Sequence, residues 1–473
     1  MPPDPFVLHR PGPCGFPPLR TSRVGGYGLI WLRPVEWFGV SVGILNTMST
    51  AFPIISLLTG IGVLLVGSGL FGTLLALRAG LEGFADQMIG LVMSAYFVGF
   101  FAGTFVCPAL IRRVGHIRAF AMFAAIAAAT VLLHILIIHP AVWLALRVLT
   151  GACLVGLYTV IESWLNAQTP NTQRGKVFAA YMIVTLLALT LGQALITYAD
   201  PAGFTLFAIA SLLMSMALVP IASTSLVQPT PVTTPRLGLR FLYATSPAAV
   251  AGALVSGLVI GAFWGMGPVF AQRIGLDNAG VAALMGATIL GGAALQWPIG
   301  HLSDRVDRRR VLAAVGAVGA LTALIAALVA VAANGTIGWL LAAVFVFGGL
   351  AFSVYPVSVA HLNDHLQPDQ VLQGSSGLLL LHGLGAAAGP AVVGSLGPRS
   401  LLAYYAVTLV MLAVFVALRI RHAPPVAMEE HIPFTPMVRT SPEALAMMAK
   451  AAEDAAPPAP HDGADSGYPP PRE

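Results

Sequence analysis

Between residues 54 and 420 the chain alternates long apolar runs with short polar breaks. Twelve runs, at 54–77, 87–109, 118–138, 142–165, 177–198, 203–222, 247–271, 280–300, 311–332, 337–361, 371–394 and 399–420, approach or exceed the ~20 residues that an α-helix needs to cross a bilayer. None shows the alternation of a barrel strand, and lipid admits only helices or closed barrels, since both satisfy their own backbone. The pattern predicts an all-α integral membrane protein with twelve transmembrane helices. Composition agrees: 57% of residues are hydrophobic and 9% charged, with mean hydropathy +0.84, values that a water-exposed globular surface does not carry.

The charges orient the spans. Counted from a cytoplasmic start, inner loops hold Arg112, Arg113, Arg118, Arg174, Lys176, Arg236, Arg240, Arg305, Arg308, Arg309 and Arg310, while outer loops hold Arg78, Arg273 and Arg399. An excess of basic residues marks the cytoplasmic side, so both termini are expected in the cytosol. The net charge of +5 does not read as a nucleic-acid surface, because the basic residues lie between spans rather than in a patch interleaved with aromatics. Cys14, Cys107 and Cys153 form no disulfide framework, and free thiols are expected.

Five segments follow. Residues 1–53, rich in Pro, Gly and Arg, are expected to be disordered, with Met48 as a candidate true start. Residues 54–222 form one six-helix bundle, 223–246 a cytoplasmic linker rich in Pro, Thr and Ser, 247–420 a second six-helix bundle, and 421–473 a disordered cytoplasmic tail. An internal repeat supports the two bundles. At an offset of 197 residues Gly151 falls on Gly348, Tyr158 on Tyr355, Asn166 on Asn363 and Gly192 on Gly389, and at a slightly smaller offset Arg113 falls on Arg305.

At the end of the eighth run, Gly300, Asp304, Arg305, Arg308, Arg309 and Arg310 form a spaced basic loop that resembles the loop between the second and third helices of each half of a major facilitator transporter. The first half carries an altered copy, with Pro108 for Gly and Arg112 for Asp. Ser94 to Gly99, Arg147 with Glu162-Ser163, Ala179 to Met182, Gly192-Gln193, Gln296 to Gly300 and Leu350 to Pro356 resemble the YcaD-like branch of that superfamily. The resemblance implies a major facilitator fold of two pseudo-symmetric six-helix bundles. It implies a secondary transporter of the bacterial inner membrane that moves a small solute by alternating access, with protons as the expected coupling ion. A monomer in the lipid bilayer is expected, with no cofactor, no metal and no nucleic-acid partner. The chain has no nucleotide-binding loop, so ATP is not the expected energy source. A transport-inactive sensor and a membrane-embedded enzyme are the alternatives, and the spans lack the nucleophile-base or metal-spaced clusters that an enzyme needs.

Candidate site residues follow from polarity inside the spans. Arg147, Gly151, Tyr158 and Glu162 recur at helical spacing on one face of span 4, and Glu162 is the one carboxylate placed within a span. Arg147 with Gly151 matches the Arg-x-x-x-Gly motif of facilitator helix 4, which the resemblance associates with proton coupling. Two readings of Glu162 stand open: a proton carrier with Arg147, or a headgroup-level partner of Arg174. Tyr158, Gln193, Trp264, Tyr355 and His382 are cavity or substrate candidates; Trp264 and Tyr355 read equally as packing residues, and His382 also reads as a histidine hydrogen-bonded between helices. At the cytoplasmic mouth a charge-swapped gate is expected, with Arg112 or Arg113 against Asp364 or Asp369, and Asp304 against Arg174 or Lys176. Gly300, Arg305, Arg308 and Arg309 complete that loop.

Overall fold

A computed structural model describes residues 36–170, 173–224, 229, 238–332, 337–367, 370–420 and 434, with side chains from residue 52 onward. Its helices are α1 (Glu36–Leu81), α2 (Asp86–Val114), α3 (His116–Leu136), α4 (Pro140–Gln168), α5 (Arg174–Ala194), α6 (Thr205–Met216), α7 (Leu218–Ala222), α8 (Leu239–Thr245), α9 (Pro247–Arg273), α10 (Asn278–Arg305), α11 (Arg308–Val331), α12 (Ile337–Asn363), α13 (Val371–Leu396) and α14 (Leu401–Ile420). Twelve spans among the described residues are long and apolar enough to cross a membrane, with α6 and α7 together making the sixth. None of the described residues lies in a β-strand.

Two expectations for the flanks change. α1 begins at Glu36 rather than at 54, since residues 36–52 contain no Pro and enough apolar residues to carry the helix on, and Pro53 is accommodated inside it. Part of the expected linker, Leu239–Thr245, is helical. Residues 1–35, 225–228 and 230–237, and the tail apart from Phe434, lie outside the described residues. By contact the chain divides into Met1–Met48 and Ser49–Glu473.

Boundaries between spans have local causes. Ser246, Asp277 and Asp307 cap α9, α10 and α11 with side-chain oxygens that accept backbone N–H groups of the first turn, donors that a helix cannot satisfy itself. The turns after α1 and α9 place Gly83 and Gly275 at φ of +75° and +91°, a region where glycine carries no Cβ penalty.

These two glycines are 192 residues apart, and at the helix crossings the backbone that is met repeats at that offset while the glycines that meet it repeat at 197. A Cβ on Gly192 of α5 would collide with the Val66 carbonyl and the Leu70 amide of α1, while one on Gly389 of α13 would collide with the Leu258 carbonyl and the Ala262 amide of α9. A Cβ on Gly151 of α4 would strike the Tyr96 carbonyl of α2, and one on Gly348 of α12 the Thr288 carbonyl of α10. In lipid, where the hydrophobic effect does not drive helices together, such backbone approach is a main source of helix affinity. The result is two six-helix bundles with matched packing.

The bundles meet along α2 with α13 and α5 with α10. At the end bearing the α1–α2 and α9–α10 turns, Gly90 abuts Pro390 and Gly394, the Ser94 hydroxyl accepts the Ala391 N–H at 3.0 Å, and Arg273 pairs with Asp86 at 2.5 Å. That end is closed. The opposite end carries the basic loops.

Candidate functional site

Two small cavities lie between the bundles. The first, about 50 Å³, is lined mainly by Phe97, Phe100 and Phe101 of α2 and by Leu379, Leu380 and Ala386 of α13, with Tyr96, Thr104, Tyr355 and His382 as its polar members. The second, about 30 Å³, is lined by residues of α1, α2, α4, α5 and α9, among them Phe71, Tyr96, Arg147 and Trp264. Tyr96 and Phe97 line both. Each has room for water-sized molecules and falls short of the ~300 Å³ at the lower end of small-molecule sites.

Three of the five cavity candidates lie here. Trp264 is in the second cavity, and Tyr355 and His382 face the first with ring centroids 4.8 Å apart. The Tyr355 hydroxyl is buried without a hydrogen-bond partner. Gln193 is elsewhere: its amide accepts the Thr73 hydroxyl at 2.5 Å and donates to the Gly69 carbonyl at 3.2 Å, which ties α5 to α1. Tyr158 is buried beside Phe100, 6.0 Å between ring centroids, and lines neither cavity.

Arg147 is 4% exposed, and its guanidinium sits 4.6 Å from the Tyr96 ring centroid and 5.7 Å from that of Phe71. Both distances are in the range of cation–π attraction, which holds a charge where water is scarce. Glu162 is fully buried and accepts a hydrogen bond from the Tyr181 hydroxyl of α5 at 2.5 Å. Fifteen residues of helix separate Arg147 from Glu162, a rise of about 22 Å. The two share a face of α4 but lie at different depths.

At the basic-loop end the pairing differs from the expected gate. Arg308, 1% exposed, binds Asp364 at 2.7 Å and Asp304 at 3.1 Å, and donates to the Ser303 hydroxyl at 3.1 Å. Both carboxylates expected to reach across to the other bundle are thus held within their own, because Arg308 lies one turn after Asp304 and its planar fork serves two acceptors. The Phe434 N–H also donates to Asp304, at 3.0 and 3.2 Å to its two oxygens, and its ring packs on Gly300. Arg112, Arg113, Lys176 and Arg305 are exposed. The Nε and Nη1 of Arg174 are buried with no hydrogen-bond partner. Asp369 lies outside the described residues. Arg309 pairs with the cap residue Asp307 at 2.9 Å. Burial pushes the Asp307 carboxyl up, but hydrogen bonds from Arg309 and its charge outweigh this and hold it below the usual carboxylate range.

Asp364→Asn is expected to lower stability by about 1–3 kcal/mol, since it weakens a buried hydrogen bond to a charged group while Asp304 still neutralises Arg308. A thermal unfolding curve of the purified variant in lipid nanodiscs checks this. An unchanged midpoint means that the pair contributes nothing to the fold.

Sequence reasoning did not mark Tyr96, Phe97, Phe100 and Phe101 as cavity residues. Their i, i+4 spacing was visible, but an aromatic face toward a cavity and one toward lipid look alike in sequence. Cys107 and Cys153 are buried free thiols, and Cys14 lies outside the described residues.

Comparison with known proteins adds the lineage. The sequence profile of the Major Facilitator Superfamily matches residues 57–332 and 249–447. The chain is 29% identical over 356 residues to the uncharacterized MFS-type transporter YcaD of Escherichia coli, covering 72% of this chain and 87% of that one. The Escherichia fergusonii protein of the same name is 27% identical over 349 residues, with the same coverage. Among solved structures, a mutant of the nucleoside transporter NupG superposes with TM-score 0.66 at 12% identity, covering 79% of this chain and 99% of that one. An inward-facing, unoccupied bacterial homologue of the human lysosomal transporter Spinster gives 0.61 at 15% identity, covering 87% and 99%.

Proposed function

The chain belongs to the major facilitator superfamily and is a YcaD-like multi-pass membrane transporter, and on that premise we propose that it moves a small solute across the bacterial inner membrane by alternating access, driven by protons. The observation that carries the reading is the pair of adjoining cavities between two pseudo-symmetric bundles, closed toward the Asp86–Arg273 end. The basic loops support a cytosolic assignment for the opposite end, and with it cytoplasmic termini. The cavities are smaller than a solute, so the cycle must part α2 from α13 on one side at a time.

Glu162 is the proton carrier in this reading, supported by its full burial and its Tyr181 partner. The protein works as a monomer without a cofactor. The charge-swapped gate belongs to the state closed at the cytosolic end. There Asp304 leaves Arg308 and Phe434 for Arg174, whose buried nitrogens lack partners here, and Arg112 or Arg113 meets Asp364. Partly exposed pairs contribute only ~0.2–1 kcal/mol each, enough to bias a balanced equilibrium. Asp304→Asn should raise labelling of cavity cysteines from the cytosolic side, and unchanged labelling removes Asp304 from the gate.

Sealed proteoliposomes with an imposed pH gradient test the whole reading. Addition of a transported solute should collapse the gradient, reported by a trapped pH dye. If labelled solutes move at rates indifferent to the gradient, the protein is a uniporter. If a broad solute panel neither moves nor alters the gradient with folded protein present, a sensor role replaces transport.

A further inference from the structure

The two cavities differ in chemistry in a way that specifies a cargo. The first is walled mainly by phenylalanine rings and aliphatic side chains, with Tyr96, Thr104, Tyr355 and His382 as its polar members, and no Asp, Glu, Lys or Arg lines it. The second adjoins it through Tyr96 and Phe97 and contains Arg147, the one charged side chain among the residues lining either cavity. An arginine stays protonated at any physiological pH. Buried among aromatic rings it attracts an anion and repels a cation far more strongly than it would in water, and its fork of donors matches a carboxylate. Flat apolar walls suit a ring.

Resting on the transporter reading above, we propose that the solute is an amphipathic aromatic monoanion, with its ring in the Phe97–Phe101 cavity and its acidic head on Arg147. Size supplies the link to motion. A cavity that takes a benzene ring measures about 150 Å³, so neither cavity admits one as it stands. Entry of the ring must widen the contact where α2 and α13 meet, at Phe101 opposite Gly383. Solute binding therefore favours a conformation other than this one, which is the differential affinity that a population shift requires.

The test uses the full chain in nanodiscs and three probes that share a ring system: naphthoate, naphthalenemethanol and naphthalenemethylamine. Equilibrium binding at neutral pH should rank the anion about tenfold or more above the neutral alcohol, with the amine weakest. Arg147→Gln should erase the preference for the anion and spare the alcohol, while Arg147→Lys should keep a reduced preference. If the wild-type protein binds the three probes equally, or the amine best, the proposal is overturned whatever the variants do. An undiminished anion preference in Arg147→Gln removes Arg147 as the head-group site. Uptake into vesicles separates this proposal from the reading beneath it. Naphthoate that binds selectively but never moves leaves the ligand class standing and sinks transport. Other solutes that move while naphthoate fails to bind leave transport standing and sink the ligand class.

Discussion

Glu162→Gln is expected to abolish solute accumulation driven by a pH gradient while leaving downhill exchange intact. The carboxylate is fully buried in α4 and takes the Tyr181 hydroxyl at 2.5 Å. A glutamine keeps the shape and can still accept that hydrogen bond, so the α4–α5 contact survives and folding cost is small. What it loses is the capacity to take up and release a proton, and a buried ionisable group in a span has few other reasons to be there. The measurement is concentrative uptake with the gradient on and off, in vesicles carrying equal amounts of folded protein. Gradient-driven accumulation at the wild-type rate would make Glu162 a structural partner of Tyr181. Arg147 is about 22 Å away along the helix, so the same experiment on Arg147→Lys probes a different element of the site.

Gly151→Ala and its counterpart Gly348→Ala should each lower the unfolding midpoint and the folded yield. The added methyl would overlap the backbone carbonyl of Tyr96 in one bundle and of Thr288 in the other. A carbonyl in a helix cannot rotate away, so α4 must move off α2, or α12 off α10, and every contact along the crossing loosens. Overpacking in a dense interior costs about 1–3 kcal/mol, occasionally more, against a total stability of about 5–15 kcal/mol for a typical domain. Here a whole helix pair separates, so the upper end is expected. Gly175→Ala is the control, since nothing lies within 4 Å of its would-be Cβ. Folded yield by size-exclusion chromatography and the unfolding midpoint give the result, and equal behaviour of all three variants would show that the crossings can relax.

Much of the site was only half legible. Arg147, Glu162, Trp264, Tyr355 and His382 stood out because polar or amphipathic side chains within apolar runs need an interior address. Gln193 stood out for the same reason yet serves packing, for the amide satisfies Thr73 and Gly69 between two helices and has no need of a cavity. Along α2, Phe97 is 8% exposed and its neighbour Val98 49%, and nothing in two adjacent apolar residues separates them. Trp297 is 69% exposed and stacks on His301, away from both cavities.

The sequence by itself determined the number of spans, the helical class, the repeat and the side on which the basic loops gather. A bilayer imposes its constraint residue by residue along the chain, as a required length of apolar segment and a rule on flanking charge, and these can be counted without knowing any contact. Only the tertiary structure decided which polar groups meet. Arg308 takes Asp364 from 56 residues away, Phe434 reaches Asp304 from 130 residues away, and Tyr96 joins two cavities. Inside lipid every face of a helix is apolar, so hydrophobic periodicity no longer tells the packed face from the exposed one. What remains to choose partners is close fit of backbones at glycine and the satisfaction of a few buried charges, both properties of the assembled bundle.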